Sequence, residues 1–466
     1  MADVEQLDSP LARSVTWRTA VLLSVGTALL VVVSLGPMAE ELGPLSWVVW
    51  SLTAMVGAVQ CLFIAELARR WPAQAGGTAT YAHRELEQHA PLLAGLSSWG
   101  YWFAWTPGIA VNAILAAEYL GSAVDVDGTL PLALVLVAGL YAVNYAGLRA
   151  SARLYVVVAV VAVLPLAAIL VGALADRDEL DFGALGPLTV PGGLLSAAGI
   201  ALVLKWAFVA VWSSYGAEIA STVVAEMADP VRKVGRALAA AAVTCVIAFT
   251  VIPVVLFALV GTAGLTEDPA VVLLEPAEEL FGTAGSRVVA VMLAAALLLG
   301  AQAFVIGSSR TVFQMARDRH LPALFGRVSR RGVPVGSLAF DVVVILVLLV
   351  IFGDGVVDIV ASANLGYVVV FILLPVTYLL ARRSTGQLRS GRDLARGRNL
   401  AAVAMLLVNT VLLVGGAPQW GWTVMLTGVA VLSLIVPLHW LARRQPAEAT
   451  GPGTGPPAAA VSPDRS

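Results

Sequence analysis

The chain of 466 residues is 59% hydrophobic and 12% charged, with a mean hydropathy of +0.88, which is more apolar surface than a water-soluble fold of this length can bury. That balance excludes a soluble enzyme or a disulfide-stapled secreted module, and a net charge of −2 dispersed among separate loops points to no nucleic-acid partner. Lipid has to cover the remainder, so the expected class is an all-α membrane protein.

Residues 1–17 are polar and acidic, with no apolar core after a basic leader, and are expected to be a cytoplasmic N-terminal segment rather than a cleavable signal. Residues 18–442 form one expected membrane domain of about twelve transmembrane helices, since apolar stretches of roughly 18 or more residues recur and each crosses a hydrocarbon core of about 30 Å. They begin near Thr19, Leu45, Leu92, Leu130, Leu154, Leu194, Ala237, Arg287, Gly336, Val357, Leu400 and Gly421, separated by Gly, Pro and charge clusters. The connection 69–90 is polar and long enough for a short interfacial helix, and 317–333 has the same character. Residues 443–466 are Ala, Pro and Gly with few large apolar side chains, the composition of a disordered cytoplasmic tail. Cys61 and Cys245 both fall inside apolar stretches, so no disulfide framework is expected.

Placing both termini and the even-numbered connections in the cytoplasm puts every Lys and Arg there except Arg177, Lys205, Arg287 and Arg310. The bias of basic residues toward the cytoplasmic side fixes that orientation. Arginine greatly outnumbers lysine, and with abundant Ala, Val and Gly this is read as a GC-rich bacterial genome. The expected location is the bacterial cytoplasmic membrane, with the bilayer itself as a partner.

In lipid a helix satisfies its backbone internally, so an interruption at mid-depth is tolerated only where it faces protein or a water-filled cavity. Two small-residue runs are candidates: Gly26-Thr27-Ala28 in the first span and Ser213-Ser214-Tyr215-Gly216 in the sixth. The alternative is that small residues merely allow close helix packing. Their separation by five spans is what an inverted repeat produces, with substrate held at exposed backbone near the midplane. Freed N–H groups with a partial positive charge suit a carboxylate, and freed carbonyls suit an ammonium. No nucleotide loop, no His/Cys ligand spacing and no nucleophile elbow accompany them, so neither cofactor, metal nor catalytic residue is expected.

Glu218 follows the sixth-span run, and a carboxylate at that depth needs a partner, a proton or water. It is either the proton-coupling group or a structural carboxylate bonded to nearby hydroxyls. Lys205 lies eight residues before Ser213, about 12 Å along a helix, which puts it in an outer vestibule, at the interface, or on the substrate path. Tyr101 and Trp102 (with Trp105) in the third span and Asn364 in the tenth either line that path or pack the bundle.

Three segments carry a family resemblance. Glu66-Leu67-Ala68-Arg69-Arg70-Trp71-Pro72 with Gly76-Gly77-Thr78-Ala79-Thr80-Tyr81-Ala82 is the first; Tyr215-Gly216-Ala217-Glu218 with Ala225-Glu226-Met227-Ala228-Asp229-Pro230-Val231-Arg232-Lys233 is the second. The third runs from Ser309-Arg310-Thr311 through Ala316-Arg317-Asp318-Arg319-His320-Leu321-Pro322 to Val333-Pro334-Val335. Together they resemble the amino acid, polyamine and organocation (APC) superfamily of transporters. The resemblance implies a LeuT-like five-plus-five inverted repeat plus two C-terminal helices, and alternating access without ATP. It also implies a substrate site among spans one, three, six, eight and ten, with Trp212, Tyr215 and Phe304 at gating-aromatic positions. The family's carboxylate-binding run aligns with Gly26-Thr27-Ala28 across a two-residue gap and with Leu30-Val31-Val32 without one, and the position of a coupling lysine in some members is near Ala162. The expected function is a permease for an amino acid or related amine by symport or exchange, with a proton, or sodium through Ser308 and Ser309, as coupling ion. A polyamine or organic-acid transporter, a non-transporting sensor or subunit of the same fold, and a membrane enzyme are the alternatives.

Overall fold

In the computed structural model the described residues are 15–29, 34–72, 74, 76–124, 128–146, 152–175, 180–227, 229–330, 332–384 and 392–445. Among these the chain is helical, and its β-type pairing is an isolated bridge from Val15 to Met227. Helices in chain order are α1 (Trp17–Leu29), α2 (Leu35–Leu42), α3 (Leu45–Arg70), α4 (Thr78–Leu86), α5 (Pro91–Trp105), α6 (Pro107–Val124), α7 (Thr129–Tyr145) and α8 (Ala152–Ala175). They continue as α9 (Ala197–Ser214), α10 (Pro230–Glu267), α11 (Leu274–Arg317), α12 (Val335–Phe352), α13 (Val356–Ser384), α14 (Arg392–Val411), α15 (Gly421–Ser433) and α16 (Ile435–Arg444).

Among the described residues eight stretches are long and apolar enough to cross a membrane, and Thr129–Tyr145 and Val163–Ala175 are shorter apolar helices. The stretch 397–444 contains 48 residues, about 72 Å at the helical rise and twice a hydrocarbon core. α10 and α11, with 38 and 44 residues, also exceed one crossing, and each is broken at a glycine with positive φ, Gly261 (66°) and Gly282 (66°). Only glycine adopts that backbone cheaply, so the bends leave the ends facing each other, 262–267 and 274–281, as short separate pieces. The helix expected in the 69–90 connection is α4; the 317–333 connection holds one 3₁₀ turn, Ala323–Gly326. Of the tail expected from 443 onward, residues 443 and 444 complete α16, and 446–466 lie outside the described residues. Cys61 and Cys245 are buried free thiols.

The center of the bundle is built by close crossings. α3 runs along α10, α6 along α11, and α5 crosses α13. At the last crossing two glycines meet backbone to backbone: a Cβ on Gly366 would lie 2.5 Å from the Gly100 carbonyl oxygen, and one on Gly100 2.9 Å from that of Gly366. Glycine pairs of this kind let helix backbones touch. The crossing brings Tyr101 and Tyr367, the next residue on each helix, to 6.4 Å between ring centroids.

Because backbone cannot yield as a flexible side chain does, Gly366→Val is expected to separate α5 from α13, at a cost of about 1–3 kcal/mol or more. The thermal midpoint of the detergent-purified protein should fall clearly below that of Gly139→Val, a position whose added Cβ meets open space.

Candidate functional site

α9 ends as an α-helix at Ser214. The Tyr215 N–H still reaches the Val211 carbonyl at 3.2 Å, and from Gly216 to Glu226 the chain continues as a 3₁₀ helix whose Glu218 N–H bonds the Tyr215 carbonyl at 3.1 Å. An eleven-residue 3₁₀ run is unusually long for that geometry. It is tolerated because the segment is enclosed: Ser213, Ser214, Tyr215, Gly216, Ala217 and Glu218 are all buried. α3 presses on the handover through Gly57, whose Cβ would sit 2.8 Å from the Ser214 carbonyl oxygen, and α1 ties to it through the Ser24 hydroxyl, which donates to the Ala217 carbonyl at 3.2 Å.

Glu218, 1% exposed, is the carboxylate side chain among the described residues of this handover, and hydroxyls from four elements converge on it. Tyr101 of α5 donates to Oε1 at 2.7 Å and Tyr367 of α13 at 3.3 Å; Ser221, one turn on, donates to Oε2 at 3.5 Å, and Thr78 at the start of α4 donates to Oε2. Gly77 lets α4 approach so closely, since a Cβ there would lie 2.8 Å from the Ser221 hydroxyl oxygen. Neutral donors arranged this way compensate part of the desolvation of a carboxylate.

Beside this ring stands a group of aromatic side chains. Trp105, one turn after Tyr101, lies 5.3 Å from Phe304, 5.9 Å from Trp212 and 5.3 Å from Tyr367. Trp212 is fixed by its indole N–H donating to the Ala104 carbonyl at 2.8 Å, and Gly108 of α6 leaves room for both Phe304 and Trp212. The buried polar atoms without a hydrogen-bond partner include the Ser214 hydroxyl, the Trp105 indole nitrogen and the Asn364 side-chain oxygen; the Asn364 amide donates to the Phe208 carbonyl of α9. Unpaired buried polar groups are rare and call for an explanation.

Of the residues singled out from sequence, Tyr101, Trp212, Phe304, Ser214, Gly216, Glu218 and Asn364 lie on the elements that meet at the α9 handover. Ser213 spends its hydroxyl on the Ala210 carbonyl of its own helix. Tyr215 turns its hydroxyl away, donating to Asn409 of α14 at 3.0 Å. Trp102 belongs elsewhere: it packs with Trp99 and Phe340 and donates to Asp341 of α12 at 2.8 Å, because adjacent residues on a helix diverge by about 100°. Ser308 donates to the same Asp341 at 2.6 Å, and Ser309 bonds the Ile306 carbonyl. Lys205 is likewise apart, pairing with Glu41 of α2 at 2.6 Å and lying over the Trp420 ring at 4.7 Å. In the first span α1 stays wound through Gly26-Thr27-Ala28, whose side chains are not described, and the gap-free alternative at residues 30–32 lies outside the described residues.

Sequence reasoning missed Tyr367, Thr78 and Ser221. Tyr367 lies one turn after Asn364 and Ser221 one turn after Glu218, so helical spacing from residues already chosen was the available signal. Thr78 had none beyond its place after Gly76-Gly77.

The hydroxyl ring predicts a measurable cost. Tyr101→Phe removes one donor from a buried carboxylate and should destabilise by about 1–3 kcal/mol, whereas Tyr145→Phe, at a 62% exposed position, should leave the midpoint of thermal unfolding unchanged.

The sequence profile of the amino acid permease family matches residues 15–452. An uncharacterized transporter of Mycobacterium tuberculosis is 30% identical over 339 residues, covering 71% of each chain. The lysine-specific permease of Escherichia coli is 24% identical over 59% of this chain and 58% of its own, and the gamma-aminobutyric acid permease of Bacillus subtilis 25% over 65% and 64%. With its apolar helices long enough to span a bilayer, this chain belongs to the amino acid permease family of multi-pass membrane transporters.

Proposed function

We propose that the protein is a secondary active transporter of a small molecule carrying an amine and a carboxylate, working by alternating access with Glu218 as the proton-carrying group. The observation that carries this reading is the buried loss of α-helical hydrogen bonding at Ser214–Gly216, flanked by unpaired polar atoms and a carboxylate. A switch from α- to 3₁₀-helical bonding beside a buried carboxylate is a place where a charged solute can be held, and the Trp212, Trp105 and Phe304 faces suit an ammonium by cation–π attraction. The relatives named for lysine and for gamma-aminobutyric acid favour the same substrate class over a polyamine or a purely acidic solute.

A five-plus-five repeat within twelve spans is the architecture we infer, with both termini cytoplasmic. Helix pairings that recur at an offset of five spans support it: α3 packs with α10, α1 with α8, and α9 with α13. Glu218 links this geometry to a driving force, since a carboxylate held by four hydroxyls from moving parts keeps its partners only in one arrangement of the helices. Protonation lowers the cost of leaving them.

A second reading, a non-transporting sensor or subunit, draws on the winding of α1 through Gly26-Thr27-Ala28. It predicts thermal stabilisation by an amino acid without flux.

Purified protein in liposomes, offered a panel of amino acids and amines with and without an inward proton gradient and with and without sodium, tests both. Gradient-driven accumulation of at least one member is expected, and a panel in which nothing is moved or exchanged would reject transport. Trp212→Ala should weaken binding roughly 30-fold if the indole supplies about 2 kcal/mol to a desolvated ammonium. Glu218→Gln should abolish proton-driven accumulation while substrate still raises the thermal midpoint; retained accumulation would remove Glu218 from the coupling role.

A further inference from the structure

The end of the bundle that carries α4 also gathers three histidines from distant parts of the chain, a grouping that no local spacing in the sequence displays. His83 is 4% exposed on α4, and His320, fully buried, follows the end of α11. Their rings pack edge to face at 4.7 Å, with His439 of α16 stacked on the far side of His320 at 5.0 Å. Glu87, one turn after His83, closes the group: one ligand atom from each of His83, Glu87 and His320 lies within 4.8 Å of the others.

The hydrogen bonds decide what the rings offer. His83 Nδ1 lies 3.1 Å from the Ala94 carbonyl oxygen and 3.2 Å from the Ser98 hydroxyl; the carbonyl only accepts, so a proton on Nδ1 satisfies it and leaves a lone pair on Nε2. His320 Nδ1 and His439 Nδ1 are 3.2 Å apart, so one donates to the other; with His320 as donor its Nε2 also carries a lone pair. Both Nε2 atoms are buried without a hydrogen-bond partner. An Nδ1–H fixed on a backbone carbonyl with Nε2 free is the arrangement found around metal-bound histidine.

We propose that His83, His320 and Glu87 bind a divalent first-row transition ion of the zinc class, with solvent in the remaining position. Two imidazoles and a carboxylate are a borderline donor set suited to such an ion rather than to calcium or magnesium. His83 Nε2 and Glu87 Oε2 stand 3.9 Å apart, against about 3.3 Å in a tetrahedral zinc site with bonds near 2.0 Å. Glu87, the partly exposed member just past the end of α4, can take up part of the adjustment by exchanging its 3.7 Å contact with Arg84 for the ion. Bound metal would clamp α4, whose other end places Thr78 on Glu218, to the segment after α11.

The test is metal retention by the tag-free full-length protein in detergent, so it stands apart from any transport assay. After incubation with Zn²⁺ and desalting, one equivalent per chain should remain, and Co²⁺ should give the visible bands of a four- or five-coordinate site. His83→Gln and His320→Gln should weaken Zn²⁺ binding by more than roughly 100-fold, beyond what loss of a supporting group costs, while His89→Gln should leave it unchanged. Should a buried histidine variant fail to fold, Glu87→Gln, which alters a partly exposed side chain, decides: a loss of roughly tenfold or more supports the site. No retained Zn²⁺, or retention equal in His83→Gln, His320→Gln and Glu87→Gln, would overturn the proposal.

Discussion

A carboxylate buried inside a bundle that faces lipid is the constraint around which the middle of this molecule is arranged. Glu218 is 1% exposed, so its oxygens must find donors within the protein, and those donors come from α4, α5, α13 and its own 3₁₀ segment. Each partner imposes a backbone requirement. Thr78 reaches it because Gly77 admits α4 next to Ser221, and the two tyrosines reach it because Gly100 and Gly366 let α5 and α13 touch. Small residues at these crossings follow from the charge they serve, beyond the general preference of membrane helices for close packing.

The same logic separates two kinds of buried acid. Asp341 is fully buried and held by the Trp102 indole and the Ser308 hydroxyl, with its neighbours packed as a second apolar cluster. That site joins α12 to α5 and α11 at a distance from the helix handover. Glu218 adjoins the place where α9 gives up its α-helical bonds, so a change in its charge is felt by backbone that is already weakly held. Midway along α9, Lys205 is pinned between Glu41 and the Trp420 ring. It fastens α2 to α9 and does not reach the aromatic group at Trp105.

α4 connects features that are remote in sequence. Its first residue holds Glu218, its last turn carries His83 with Glu87 just beyond, and Glu85 pairs with Arg70 of α3 at 3.1 Å. A nine-residue helix with so little apolar core of its own is stable because its neighbours supply the packing. It is therefore well placed to transmit a change at the end of the bundle to the buried carboxylate.

Composition and the recurrence of apolar stretches were enough to make this chain a helical membrane protein, because lipid penalises any other way of satisfying the backbone. The Ser213–Gly216 run and Glu218 were equally legible, since small residues and a lone acid within an apolar stretch are costly unless they serve a purpose. Partners of that acid were not legible: Thr78, Tyr101 and Tyr367 are 140, 117 and 149 residues from it, and sequence spacing carries no record of contacts between helices. Direction around each helix was hidden for the same reason, so Trp102 and Tyr101 looked alike until packing sent one to Asp341 and the other to Glu218. Only the fold could place His83 against His320, because helix crossings, and nothing in the local pattern, set which distant rings share one buried space.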